Sequence, residues 1–437
     1  MMRAAGRGSS PSRQTSYLKK KVTAMEIIEI RKPGKKKKKA RALLLLSGGL
    51  DSILAGKLLE EQGVEIVGLT FRSQFFGADE AVRVAEKLSW PLVLVDISRE
   101  QIEIVENPKY GYGRQLNPCI DCHGQMVRIA GRLLEDYQAD FVATGEVVGE
   151  RPKSQNRQAL AIVEKLSGIK GLVLRPLSAK LLPATTPEEK GLVDRGKLLD
   201  IYGRSRKKQM ELAERYGLKE YPTPAGGCLL TDPGFAARAR RLRGWRGKLL
   251  PEDIELIKSG RIFFESDGLI VVGRNERENE RIAGVAGKND ILVTTSGIKG
   301  PLAAVRLKEG IRHPADGRGE EGASGETRVV EILKERPESQ SGSDIPARAG
   351  TGKKEIWPVL DLGLMIRQIQ EGKSGPGRSG CEAVEAEILS RGAVREACLL
   401  AIRYSRARDR ERASVAVLVR GLVFELEFEK TDWKKYL

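Results

Sequence analysis

The stretch Leu43 to Gly56, LLLLSGGLDSILAG, constrains the fold more than any other part of the chain. Four successive leucines cannot all face one side of an amphipathic element. Side chains alternate along a strand and rotate around a helix. They read as a strand buried on both faces, as in a covered parallel sheet. Ser47, Gly48, Gly49, Leu50, Asp51 and Ser52 follow, and then Ile53, Leu54, Leu58 and Leu59 at helical spacing, with Gly63 placed to end the helix.

The same alternation recurs downstream. VEIVGLTF reads as a second strand and ADEAVRVAEKLS as a helix, with Ala81, Val84, Ala85 and Leu88 on one face. PLVLVDIS is a third strand. Met126, Ile129, Ala130 and Leu133 mark another helix, and ADFVATGE another strand. Strands alternating with helices of this length imply an α/β fold with a parallel sheet. Ligands in such sheets bind at the carboxyl ends of the strands, where residues 47–52 and Thr144–Glu146 fall.

The later sequence differs. Residues about 262–307 are β-rich with one short helix. Residues 415–428 alternate cleanly around Gly421, which suggests a hairpin. Gly, Ser, Pro and charge dominate residues about 309–392, read as a flexible insertion that holds one possible short element, EIWPVLDLGLMIRQIQEG. The expected organisation is a basic disordered tail over 1–39, an α/β domain over 40–250, and a smaller α+β C-terminal domain over 262–437.

Charge sharpens this division. The net formal charge is +17, and residues 1–39 hold 13 Lys and Arg against Glu26 and Glu29. The plain reading of that tail is a solvated extension, and the sharper one a polyanion-binding arm. Residues 201–250 carry 12 Lys and Arg against four acids. Within them Arg204, Arg206, Lys207 and Lys208 lie near a helix start and are candidates for RNA phosphate contact, the alternative being a solvated basic face. No apolar run is long enough to span a membrane, and no secretory signal is legible. Five cysteines suit a reducing compartment, so a cytoplasmic location is expected.

The hexamer from Ser47 to Ser52 suits phosphate. Glycines admit a close backbone approach, and a helix N-terminus favours anions. Asp51 fits only if a metal comes too, because a carboxylate beside pyrophosphate usually holds Mg²⁺. The plainer alternative is an ordinary strand–helix turn with Asp51 or Ser52 as the helix cap. SGGLDS resembles the PP-loop of the ATP pyrophosphatase family, with its adenine nucleotide α-hydrolase-like fold. The resemblance implies cleavage of ATP between the α and β phosphates, with Ser47, Gly48, Gly49 and Ser52 cradling phosphate. It also implies that Thr144 and Gly145 lie near the nucleotide, although a plain βα turn is the alternative there. No Walker-type Gly-Lys-Ser/Thr follows.

Cysteines carry the second motif. NPCIDCHG places Cys119 and Cys122 just before a helix, and PAGGCLL supplies Cys228. Such a set could hold zinc, an iron–sulfur cluster or a redox dithiol, or be incidental. Three thiolates suit a 4Fe-4S cluster with one open iron. A persulfide resolved by a second thiol is the next choice and zinc the third. His123 is an awkward fourth ligand. Cys381 and Cys398 read as packing or incidental residues.

A PP-loop followed by NPCxxC and a later GGC resembles the tRNA thiouridine synthases, over roughly residues 42–245. RPLSAKLLPATTPEE and DIYGRSRKKQ are similar to signatures of a shorter group of these enzymes. The resemblance implies a tRNA sulfurtransferase that adenylates a uridine oxygen and replaces it with sulfur, taken from sulfide or a sulfur-carrier protein. A PP-loop enzyme with a nitrogen nucleophile would leave the cysteines unexplained, and a non-catalytic RNA adaptor would predict a degenerate loop. Finally, GLIVVGRNERENE and NDILVTTSGIKGP resemble the NFACT-R RNA-binding domain. Gly273, Arg274 and Asn275 are its sharpest piece, with a hairpin turn as the alternative.

Overall fold

The computed structural model describes residues 18–22, 25–36, 38–219, 221, 227–287, 289–308, 390–419 and 422–433. They form two compact units, Met1–Pro233 and Gly234–Leu437. Most of the expected insertion at about 309–392, including EIWPVLDLGLMIRQIQEG, lies outside the described residues.

The first unit is built on a seven-stranded sheet. In chain order its strands are β1 (Leu18–Val22), β2 (Met25–Arg31), β3 (Arg41–Leu45), β4 (Glu65–Arg72), β5 (Leu92–Asp96), β6 (Phe141–Thr144) and β7 (Val173–Leu174). Their spatial order is β1-β2-β5-β4-β3-β6-β7. The strands from β5 to β7 are mutually parallel. Thus the α/β parallel-sheet expectation holds.

Both faces of β3 are covered, which accounts for the leucine run. Ala42, Leu44 and Leu46 pack on one side with Leu54 and Leu58 of α1 (Leu50–Glu61), Ala81 and Ala85 of α2 (Asp79–Leu88) and Ala213 of α7 (Lys207–Arg215). Leu43 packs on the other side with Ile129 and Ala130 of α4 (Cys119–Arg132). Helix α1 ends at Glu61, and Gly63 follows with φ +79°.

Part of the basic segment expected to be disordered is instead sheet. Strand β2 pairs antiparallel with β5, and β1 pairs antiparallel with β2. The reason is a short apolar run inside the charge. Ile27 and Ile28 of MEIIEIR lie buried on the two sides of the sheet. Counting lysines hides that alternation.

The chain crosses from β3 through β4 to β5, then returns to β6 on the far side of β3. The carboxyl ends of β3 and β6 therefore flank a topological switch point, where crevices open in such sheets.

The second unit holds a six-stranded, wholly antiparallel sheet of order β13-β12-β10-β11-β9-β8. These strands are β8 (Arg261–Phe264), β9 (Gly268–Val272), β10 (Ile291–Thr295), β11 (Ala303–Leu307), β12 (Arg412–Val419) and β13 (Leu422–Glu429). One sheet face packs on the last long helix, Gly392–Arg403, through Val394, Ala397 and Ala401. Val419 pairs with Leu422, so the expected C-terminal hairpin is present. No helix among the described residues is long and apolar enough to cross a membrane.

Candidate functional site

The loop after β3 takes the shape its glycines allow. Gly48 has φ +81°, and a Cβ there would lie 2.6 Å from the carbonyl carbon of Glu80. Gly49 is the N-cap of α1, and no side chain caps that helix. The plainer reading, with Asp51 or Ser52 as cap, is therefore not what the chain adopts. An uncapped helix start leaves first-turn amides for another acceptor. Ser52 is buried and donates to the Gly49 carbonyl at 2.7 Å, bracing the loop. Exposed Ser47 donates to Ser52 Oγ at 3.3 Å and accepts from the Gly49 amide at 3.2 Å.

Asp51 lies half-buried on the first turn of α1, and its Oδ1 is shielded with no hydrogen-bond partner among the described residues. Burial pushes its pKa up, against the opposing pull of Arg206, a hydrogen bond from the Gln209 side chain and Arg151. A bound cation would relieve that penalty, so the carboxylate suits Mg²⁺.

Strand β6 delivers the second loop. Gly145 packs on the start of α1, where a Cβ would stand 2.5 Å from both Asp51 C and Ser52 N. Thr144 Oγ1 donates to Glu146 Oε2 at 3.1 Å. Glu146 also accepts from Arg175 Nε at 3.0 Å and from His123 Nδ1 at 3.0 Å. Burial alone would raise the Glu146 pKa, but Arg175 and His123 hold it down to about 2. His123 is thus tied to a carboxylate.

The cysteines gather in the same unit. Cys119 and Cys122 lie in the first turn of α4, not ahead of it. Cys122 is buried and donates to Gln101 Oε1 at 3.2 Å, while Cys119 accepts from Asn117 Nδ2 at 3.3 Å. Cys228 arrives on a segment docked by two backbone bonds, Leu229 N to Phe75 O at 2.9 Å and Leu116 N to Leu230 O at 3.2 Å. Burial drives the Cys122 thiol far up, and Cys228 and Cys119 add to it. Burial likewise pushes Cys228 up to about 11. The three sulfurs are therefore neighbours. Yet among the described residues no group of three or more His, Cys, Asp or Glu is arranged to hold a metal ion. Cys398 is buried in the core of the second unit, a packing residue.

Loop and thiols share one neighbourhood. His123 follows Cys122 and bonds Glu146, which follows Gly145 on the start of α1. Arg151 acts electrostatically on both Asp51 and Cys228.

The four basic residues do not act as one face. Arg204, Lys207 and Lys208 are exposed, with Lys208 2.9 Å from Asp200. Arg206 instead turns toward Asp51, with its Nε shielded. Sequence reasoning passed over Arg175, Glu150, Arg151, Gln101 and Gln209. Of these, Arg175 and Gln209 carried a signal, since Arg175 opens RPLSAKLLPATTPEE and Gln209 closes DIYGRSRKKQ. In the second unit Gly273–Asn275 joins β9 to the helix Glu276–Val285, with Asn275 as its side-chain cap, so this is not a hairpin turn.

Residues 37–180 match the protein-family model described as "Thiamine biosynthesis protein (ThiI)". The tRNA-specific 2-thiouridylase MnmA of Rhizobium etli (strain CIAT 652) is 32% identical over 137 residues, 27% of this chain and 33% of that protein. MnmA of Amoebophilus asiaticus (strain 5a2) is 27% identical over 262 residues, 55% of this chain and 64% of that protein. The chain therefore spans between one third and two thirds of these relatives. A solved 4-thiouridine synthetase–RNA complex with bound ATP is 24% identical, with a TM-score of 0.29, over 46% of this chain and 50% of that one.

Proposed function

We propose, from the ThiI-family PP-loop domain formed by residues 37–180, that this protein is an ATP-dependent tRNA sulfurtransferase. The observation that carries the reading is the convergence of the uncapped, glycine-shaped loop and its half-buried Asp51 with three neighbouring thiols. Neither half explains the other. A carbonyl oxygen is a poor leaving group, so replacing it by sulfur needs prior activation, and ATP supplies that.

Ser47, Gly48 and Gly49 receive the phosphates at the α1 N-terminus, and Asp51 holds Mg²⁺. A uridine oxygen bonds to the α-phosphorus while the bond to the bridging oxygen breaks, and pyrophosphate leaves. The ring N–H proton passes to water. Sulfur delivered at the cysteines then attacks the same carbon, and AMP departs. Gly145 supports the nucleotide side of this site through its packing on α1, and Thr144 through its hydrogen bond to Glu146.

Two carriers for the sulfur remain. A 4Fe-4S cluster would use Cys119, Cys122 and Cys228. A persulfide route uses no metal: one cysteine thiolate takes the outer sulfur of a carrier's persulfide and the carrier thiol leaves, and after that sulfur attacks the carbon a second cysteine frees the product by closing a disulfide, which a thiol reductant reopens. Exposed Arg204, Lys207 and Lys208 and the second unit supply tRNA contacts, in keeping with the NFACT-R resemblance.

The decisive assay follows both products. Purified protein with tRNA, ATP and a sulfur source (sulfide for the cluster route, a persulfide donor with a thiol reductant for the other) should release AMP and pyrophosphate in step with thiouridine formation, and Asp51→Ala should stop both without unfolding the chain. Release of ADP and phosphate would refute the assignment.

A further inference from the structure

The helix Pro233–Arg246 of the second unit is rich in arginine and holds no acidic residue. Phe235, Ala236, Ala239 and Leu242 form its buried face. Arg241 and Trp245, one turn apart, share a flank beside that face. Phe264, at the end of β8, meets both. The Trp245 and Phe264 ring centroids lie 6.0 Å apart, tilted by 56°. The Arg241 guanidinium carbon stands 5.0 Å from the Phe264 centroid. Lys308 Nζ, just past β11, stands 5.9 Å from the Trp245 centroid.

The surrounding structure fixes these rings. Trp245 Nε1 donates to the Glu265 carbonyl at 2.6 Å. Arg246 lies on the indole, 4.9 Å from its centroid, and is itself held by fully buried Asp253 at 2.9 Å. Side chains alternate along β8, so Phe263 packs toward the helix Gly392–Arg403 and Phe264 takes the opposite face. Strand β8 is the sheet edge, paired only with β9, and is half-buried along its length. Both Trp245 and Phe264 are half-buried, so part of each ring stays accessible. The outer cations have no such anchor: Arg241 and Lys308 are exposed, and neither makes an ion pair with a described residue. Packing explains the buried edges of the rings. It does not explain unneutralised cations laid beside them.

We infer that this flank of the second unit is a stacking platform for unpaired RNA. A base stacks against Phe264, Trp245 and the Arg241 guanidinium, and the phosphates beside it meet Arg241 and Lys308. Stacking on aromatic rings and arginine is how proteins hold single strands, because every base has a planar face. Duplex RNA keeps its bases inside the helix and offers the platform phosphate alone. An acidic peptide would answer the charges and leave the rings unused. The inference rests on the tRNA reading above only for which RNA supplies the strand.

Fluorescence anisotropy of the full chain tests this, with a labelled single-stranded RNA of about eight nucleotides and the same sequence as a blunt duplex. Sites elsewhere that touch only phosphate bind both forms alike, so the affinity ratio reports the platform. The wild type should prefer the single strand. Phe264→Leu should weaken single-strand binding about 5- to 100-fold, the scale of one lost stack, and leave duplex binding within about twofold. Arg241→Gln and Lys308→Gln should each lower the salt slope for the single strand by about 0.7. Arg241→Lys should restore the slope and not the preference. Thermal melts check the Phe264 variant, and the exposed Arg241 variants carry the test if it unfolds. Equal binding of both forms by the wild type, or an unchanged preference in Phe264→Leu and Arg241→Gln, would overturn the platform. If the expected pattern holds but the wild type never thiolates tRNA, the sulfurtransferase reading falls and the RNA surface stands.

Discussion

Substituting the two loop glycines separates their roles. Gly48 has φ +81°, and its missing Cβ would lie 2.6 Å from Glu80 C and 2.7 Å from Ala81 N. Placing an L side chain in the left-handed region costs about 1–2 kcal/mol. Both neighbours are backbone, so the start of α2 must shift, and overpacking of this kind costs about 1–3 kcal/mol. Gly48→Ala should therefore destabilise the first unit by about 2–5 kcal/mol, a large share of the roughly 5–15 kcal/mol that holds a domain. Gly49 differs: its φ is −75°, and an added Cβ would meet only Ser47 Oγ, at 3.4 Å. Gly49→Ala should change stability by no more than about 0.5 kcal/mol. It should nonetheless weaken Mg²⁺-ATP binding at least about tenfold, because the methyl group occupies the approach to the helix N-terminus. Urea denaturation followed by far-UV dichroism reads the first effect and calorimetry the second. Unchanged stability in Gly48→Ala would contradict the packing argument. Wild-type ATP affinity in Gly49→Ala would mean that the phosphates bind elsewhere.

Two further outcomes concern the buried charges and the thiols. Glu146 titrates at about 2 in the fold against an ordinary 4.5, so its stabilisation is complete above about 4.5 and is lost as pH falls toward 2. Glu146→Gln should remove that part of the acid dependence, and should cost about 1–3 kcal/mol near neutral pH, because buried Arg175 keeps only the more distant Glu164 at 3.7 Å and the Leu160 carbonyl at 3.4 Å; acid titrations of both proteins, followed by dichroism, would expose an error if the curves superimpose. Anaerobic preparations should contain either about four irons per chain, lost in Cys119→Ser, Cys122→Ser or Cys228→Ser, or no iron and a cyanide-labile sulfur that depends on the same residues. Stoichiometric zinc without either would end both readings.

Local pattern alone determined much of this protein. LLLL demanded a strand covered on both faces, and the structure seats Leu43 and Leu44 in separate cores on either side of one sheet. SGGLDS demanded a strand-to-helix turn, because its spacing and glycines are properties of consecutive residues. Alternation over 415–428 likewise announced the C-terminal hairpin. The edge strand β2 was hidden for the opposite reason: net charge describes a whole segment, whereas strand formation depends on a few alternating apolar positions. Only the tertiary structure decided which distant residues meet. Arg175 comes to Glu146, His123 to the same carboxylate, and Arg206 and Gln209 to Asp51. Nothing in DIYGRSRKKQ distinguishes Arg206 from its exposed neighbours. The loop that carries it is tied by the pairing of Val148 with Tyr202, residues far apart in the chain. Periodicity follows from backbone geometry and can be read locally. Burial and the partners of a charge depend on how loops close in space.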